Sequence, residues 1–251
     1  MVWTIVSGRV PGRGFVVALS FLTRIPVRHN HEPNIGLSAP WFPVVGVLVG
    51  VIVGATAWGV STLTSPLVGA AVGVLVGVLI TGAFHEDGLA DIADAFVGGW
   101  SIQDRLRILK DPLHGSYGVA ALCGSIVLRT VALGSIKPQH MLAAAIAAHC
   151  LARTGALVLM LTTALARHDG LGADYVRTLP IARTVLGIVF ALIISFIALD
   201  VWVIAAVVAT TAGASTIRWW AQRNIDGITG DVLGAAEQVS EALIYVVLSA
   251  R

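Results

Sequence analysis

The stretch PWFPVVGVLVGVIVGATAWGVSTL, residues 40–63, carries no ionisable side chain. At a helical rise of about 1.5 Å per residue it has the length to cross a hydrocarbon layer of roughly 30 Å. Six further, largely apolar blocks follow at 66–84, 117–136, 139–165, 183–199, 201–217 and 232–249. They predict an all-α fold, a polytopic transmembrane helix bundle of about seven spans. Residues 15–27 are apolar but too short to span, and predict an interfacial or re-entrant helix ending at Pro26. Composition agrees: 57% of the 251 residues are apolar and 12% charged, with mean hydropathy +0.87, far from a water-soluble domain. No linker or low-complexity tract divides the chain, so 1–251 reads as a single integral membrane domain in contact with the lipid bilayer.

The basic residues give an independent check on these spans, because Lys and Arg collect on the cytoplasmic side. With residues 1–39 inside, the loops 1–39, 85–116, 166–182 and 218–231 are cytoplasmic and the opposite loops are not. The inner set then holds Arg9, Arg13, Arg24, Arg28, Arg105, Arg107, Lys110, Arg167, Arg177, Arg218 and Arg223, with Arg183 at the inner edge of its block, against Lys137 and Arg251 outside. Arg129 and Arg153 fall within spans. Gly46, Gly50 and Gly54 recur at intervals of four, a stripe that lets helices approach closely in lipid.

Several function classes are excluded by the same reading. Net charge is only +2 and the basic residues form no run, which speaks against nucleic acid as a partner. Cys123 and Cys150 lie inside apolar blocks without CxxC spacing, so neither a disulfide framework nor a zinc site is indicated. The basic N-terminal segment is followed by no A-x-A-like cleavage site and is expected to be retained. Self-association is left open.

Chemistry concentrates in FHEDGLADIADAF, residues 84–96. On a helix Asp87, Asp91 and Asp94 share one stripe, with Glu86 beside it, and no basic residue lies between Phe84 and Gly99 to neutralise them. A bound cation relieves that repulsion, and hard oxygen ligands suit Mg²⁺ or Mn²⁺. The next segment, SIQDRLRILKDPLHGSYG (101–118), supplies Arg105, Arg107, Lys110 and Asp111 ahead of Gly115 and Gly118. Such a basic group can neutralise a pyrophosphate or simply anchor the chain at lipid headgroups. Within the spans Arg129 and Arg153 are functional candidates by their cost, Arg153 more so because it lies deeper. His149, one turn from Arg153, reads as a core histidine. Toward the end, NIDGITGDVLGAAEQVSEALIYVV (224–247) joins a glycine-rich turn, a helix start near Thr229 to Asp231, and Glu237 and Glu241 one turn apart. Buried glutamates need a cation or a basic partner such as Arg153. The two acidic segments both lie at cytoplasmic span ends, so Asp231 is expected close to the aspartate stripe.

The strings FLTRIPV (21–27), FHEDGLADIADAFVGG (84–99), LKDPLHGSYG (109–118), ARTGAL (152–157) and GITGDVLGAAEQVSE (227–241) occur in this order. Together they resemble the cobalamin synthase family, the adenosylcobinamide-GDP ribazoletransferases, over nearly the whole chain. The resemblance implies a multi-pass enzyme of the cell inner membrane whose active site faces the cytoplasm and requires Mg²⁺. Its substrates would be adenosylcobinamide-GDP and α-ribazole or its 5′-phosphate, with release of GMP. The family's acidic motif falls on His85, Asp87, Asp91 and Asp94, its second on Lys110, Asp111 and Gly115, and its last on Gly230 and Asp231. Leu113 stands where a basic residue is usual and Ala95 where glycine is usual; Arg105, Arg107 or Lys110 can take over the missing phosphate contact.

On that reading Asp87, Asp91 and Asp94 hold the metal, while His85, Arg105, Arg107, Gly115, Arg153 and Gly230 bind substrate. The catalytic group comprises Asp94 as first choice of base, Asp231 as second, and Lys110 with Asp111. Two rivals are a CDP-alcohol phosphotransferase, whose DGxxAR pattern fails because Asp87-Gly88 is followed by Leu89, Ala90 and Asp91 with no arginine in the AR place, and a secondary transporter, which leaves the aspartate stripe unexplained.

Overall fold

Where the chain may bend in lipid is set by glycine, proline and caps, since every backbone group there must be bonded internally. The computed structural model describes residues 13–27, 35–167 and 169–251; Arg9 and Arg28 of the charge count lie outside them. Twelve α-helices follow in order among the described residues: α1 (Arg13–Leu22), α2 (Ile35–Ser38), α3 (Phe42–Ser61), α4 (Pro66–Thr81), α5 (Phe84–Gly98), α6 (Ile102–Ile108), α7 (Ser116–Ser135), α8 (Pro138–Thr162), α9 (Leu171–Thr178), α10 (Ile181–Leu199), α11 (Val203–Ile225) and α12 (Gly230–Leu248). Prolines open α4 and α8, where a missing N–H costs nothing. Ser65 and Thr229 accept the backbone N–H of Val68 and Val232 and so cap α4 and α12.

The seven apolar blocks each fall on a helix. By length and composition, four helical stretches among the described residues can cross a membrane, Gly36–Ser61, Ser116–Ser135, Pro138–Thr162 and Ile181–Ile225, or five where the bent pair Pro66–Thr81 and Phe84–Gly98 counts as one span. The 45-residue stretch Ile181–Ile225 is interrupted at Asp200, whose φ of 54° breaks the helix. Both its ends reach one end of the bundle, for Gly187 abuts Pro40 and the Asn224 carbonyl accepts from Arg105. α12, which carries Asp231, Glu237 and Glu241, is more polar than these, and α4 is shorter at 16 residues. Where a span over 66–84 is expected, the helix stops at Thr81: Gly82 and Ala83 both take positive φ, and α5 leaves α4 at a bend of 89°. That turn lays the aspartate helix across the end of the bundle instead of continuing through it. The expected N-terminal helix is present as α1 but ends at Leu22 rather than Pro26.

α8 is the central helix and is largely buried, whereas α10 and α11 are largely exposed. The latter pair presents its side chains outward, as a lipid-facing layer does. α3 packs against α8 along the glycine stripe: a Cβ on Gly46 would run into the His149 carbonyl, one on Gly50 would meet the Ala145 carbonyl at 2.5 Å, and one on Gly54 the Leu142 Cα at 2.7 Å. Backbone touches backbone here, with no room for a side chain. Gly50→Val should therefore cost about 1–3 kcal/mol and lower the Tm of the detergent-solubilised protein. Gly59→Ala, on the same helix with nothing within 4 Å of its Cβ position, should leave it unchanged.

Candidate active site

α5 begins with His85, Glu86 and Asp87 after the bend, so three ionisable side chains leave its first turn in different directions. Asp87 and, one turn on, Asp91 face the loop that precedes α7. There His114 sets Nε2 3.3 Å from Asp87 Oδ1 and Nδ1 3.6 Å from Asp91 Oδ1, and the three residues offer ligand atoms all within 4.8 Å of one another. Burial, with Asp87, Asp231 and Asp94 nearby, pushes the Asp91 carboxyl up to about 7 against the opposing pull of His114. Two carboxylates and an imidazole so crowded fit a small divalent cation, which would relieve the strain on Asp91.

His114 is the member that sequence reasoning missed; LKDPLHG reads as a plain polar turn. Asp94, expected in the metal set, is not in this group. Its carboxylate accepts from the backbone N–H of Gly115 at 2.7 Å and of Gly118 at 2.9 Å, at the N-terminus of α7 where the helix dipole favours an anion. A Cβ on Gly118 would run into Asp94 Oδ2, which is why glycine stands there. Asp111 is exposed, and its Oδ1 accepts from the Leu113 N–H at 3.0 Å, a turn that shapes the His114 loop.

Asp231 does approach the stripe. A Cβ on Gly88 would lie 2.7 Å from the Asp231 carbonyl, so α5 and α12 cross in backbone contact. The Thr229 hydroxyl donates to Asp231 Oδ2 at 3.1 Å, and Arg167 Nη2 stands 3.9 Å from the same oxygen. Burial raises the Asp231 carboxyl above its ordinary value, with Thr229 and Arg167 pulling the other way. Arg167, counted in the sequence only as a topology marker, arrives here because the Ala166 N–H bonds the Ile228 carbonyl and the Ile228 N–H bonds the Ala164 carbonyl.

Between α1, α5, α8, α9 and α12 opens a pocket of about 1010 Å³, measured out to its mouth. Asp87, Arg167, Asp169 and Asp231 form its rim and His85, Arg153 and Glu237 line its inner end. The walls between are largely apolar, including Phe21, Phe42, Phe84, Met160 and Tyr175. Gly230 also lines it. Arg105, Arg107, Lys110 and Gly115 do not: Arg105 donates to the Asn224 carbonyl at 3.2 Å, Arg107 pairs with Asp104 at 2.7 Å, and Lys110 pairs with Asp169 at 3.0 Å near the rim.

Below the pocket the intramembrane charges join. Arg129 reaches Glu86 at 2.9 Å and Glu241 at 3.2 Å. His149 Nδ1 lies 3.2 Å from Glu241, Arg153 Nη1 2.9 Å from Glu237, and His85 Nε2 2.7 Å from the other Glu237 oxygen. Thus Arg153 is the partner that Glu237 required, Arg129 is that of Glu241 and Glu86, and His149 is the core histidine expected, paired within the network.

The family model described as cobalamin-5-phosphate synthase matches residues 14–249. A curated relative from Shewanella frigidimarina, named adenosylcobinamide-GDP ribazoletransferase, is 37% identical over 94% of this chain and 94% of its own. Relatives with that same name from Ralstonia nicotianae (36% identical, 95% of each chain) and Pseudomonas aeruginosa (37% identical, 94% of this chain and 98% of that one) align as completely. No solved structure matches. An aspartate and histidine cluster at the rim of an intramembrane pocket, and alignment from end to end, lead to one conclusion: the chain belongs to the cobalamin-5-phosphate synthase family.

Proposed function

We propose that this chain is a membrane-embedded transferase that joins adenosylcobinamide-GDP to α-ribazole or its 5′-phosphate and releases GMP. The observation that carries the chemistry is the grouping of Asp87, Asp91 and His114 beside Asp231 at the rim of the pocket. Asp87, Asp91 and His114 would hold Mg²⁺. Bound there, the metal supplies charge neutralisation and orientation for a pyrophosphate.

The remaining work falls to the chain itself. Arg167, beside Asp231, places a fixed positive charge where the leaving phosphate develops negative charge. Asp231 faces the pocket with a carboxyl raised by burial, so it suits proton removal from the attacking ribazole hydroxyl. Asp94 is held by two backbone N–H groups and acts as the anchor that fixes the His114 loop to α5. The apolar walls exclude water from the reacting phosphate. The site faces the cytoplasm of the inner membrane, since the described inner loops carry most of the Arg and Lys.

Three outcomes test this reading. Purified in detergent, the protein should release GMP from adenosylcobinamide-GDP only with α-ribazole and Mg²⁺ present, and Asp87→Asn, Asp91→Asn and His114→Ala should each lower the rate about 100-fold or more. Circular dichroism should show them folded. Near-normal turnover by any one at limiting Mg²⁺ would remove it from the ligand set.

Metal affinity should depend on pH in a defined direction. Below about 7 the Asp91 carboxyl carries a proton that a cation must displace, so the Mg²⁺ concentration for half-maximal activity should fall about tenfold per pH unit up to about 7 and level off above it. A cysteine placed at Gln103 should react with a membrane-impermeant maleimide only in inverted vesicles. Labelling in right-side-out vesicles would turn the site to the other face.

A further inference from the structure

The inner end of the pocket is polar although the surrounding walls are not, and its polar atoms are incompletely paired. Arg153 is 1% exposed and Glu237 2%, yet Arg153 Nε and Nη2 and Glu237 Oε1 have no hydrogen-bond partner among the described residues. The 2.9 Å approach of Arg153 Nη1 to Glu237 Oε1 is an ion pair without hydrogen-bond alignment, while His85 occupies Oε2. Unpaired donors and acceptors in a low-dielectric interior are costly. Both residues line the pocket, so a ligand that offers an acceptor and a donor side by side would satisfy them.

Depth narrows the ligand class. Glu237 lies six residues beyond Asp231 on α12, a rise of roughly 9 Å. That matches the span of a nucleoside monophosphate from its phosphorus, at the rim, to the far edge of its base. The walls on the way, Phe21, Phe84, Met160 and Leu233 among them, present apolar faces of the kind on which a base can lie. A dimethylbenzimidazole base offers only methyl groups at its far edge and would leave Arg153 and Glu237 unsatisfied. Guanine offers N1–H and N2–H₂ donors next to the O6 acceptor.

Resting on the transferase reading above, we infer that Glu237 and Arg153 form the guanine-recognition subsite for the departing nucleotide. Glu237 Oε1 accepts from N1–H and N2–H₂, and Arg153 Nη2 donates to O6. Adenine reverses this pattern, turning an amino group toward Arg153 and an unprotonated nitrogen toward Glu237, and xanthine replaces the N2 amine with a carbonyl that the carboxylate repels. Specificity thus comes from fixed buried charges in the membrane rather than from a loop at its surface.

The test is competition and direct binding of GMP, IMP, AMP and XMP to the detergent-purified wild-type protein with Mg²⁺, by inhibition of GMP release and by titration calorimetry. IMP, which lacks the N2 amine, should bind about 10- to 100-fold more weakly than GMP, and AMP and XMP at least as much more weakly. Glu237→Gln should shift preference from GMP toward XMP. Equal binding of the four nucleotides overturns the inference, as does a Glu237→Gln protein that keeps its GMP preference while losing affinity for α-ribazole. If that variant does not fold, the wild-type nucleotide series decides alone. Nucleotide discrimination is read by calorimetry even if no transfer is detected, so failure of the transferase reading and failure of this subsite are separate results.

Discussion

A charge inside a membrane must find its counter-charge within the protein, and here that requirement ties four helices together. Glu86 on α5, Arg129 on α7, His149 and Arg153 on α8, and Glu237 and Glu241 on α12 form one continuous set of contacts, all 4% exposed or less. Removing one member would leave another ionised and unpaired, at a cost of about 3–5 kcal/mol. The set behaves as a unit. Its consequence for chemistry is positional: His85 and Glu86, clamped to α12 and α7, immediately precede Asp87, so the intramembrane pairs fix the azimuth of the helix that presents Asp87 and Asp91.

That clamp works only because α5 can lie across the bundle end, and this depends on a few small residues. Gly82 and Ala83 take the left-handed turn that ends α4. Gly88 lets α5 meet the start of α12 in backbone contact, and Gly118 lets the first turn of α7 close on Asp94. Each glycine thus brings one more segment of the site within reach of α5: Gly88 the Asp231 turn, Gly118 the His114 loop. The last approach comes from chain pairing, since the Leu165 and Ile228 bridge draws Arg167 beside Asp231.

Much of this was legible in the sequence, and the parts that were not share a cause. Apolar blocks give the helices because lipid demands long runs without charge, and the charges that violate the rule, Arg153 with Glu237 and Glu241, announce themselves by their cost. The period of the aspartates puts Asp87 and Asp91 on one face, and the resemblance to cobalamin synthases follows from motifs in order. What sequence could not supply was contact across loops. His114 sits in a turn with no periodicity to mark its direction, and the period alone cannot show that the Asp94 oxygens, expected at a metal, accept from backbone donors. Arg167 looked like one more topology marker, and the partners of Arg129 lie 43 and 112 residues away in sequence. The 89° bend at Gly82 hid behind a hydrophobic block that runs to residue 84 without interruption.

The division of labour between depth and rim bears on why such a reaction would sit in a bilayer. Rim groups such as Asp87 and Asp169 are exposed to solvent, where a phosphate can arrive hydrated and a cation can exchange. Six residues further down α12 the side chains are buried, and there a hydrogen bond to a fixed charge is stronger than in water because no solvent competes. A soluble protein must build that dry floor from its own core. In this chain the lipid excludes water from outside the bundle, α10 and α11 exposing apolar side chains to it, while α8 and α12 need only carry the few charges that the floor requires. The cost of burying them is offset by their mutual pairing, and the same pairing holds α5, with Asp87 and Asp91, in place, so the buried floor and the rim of the pocket rest on one set of ion pairs.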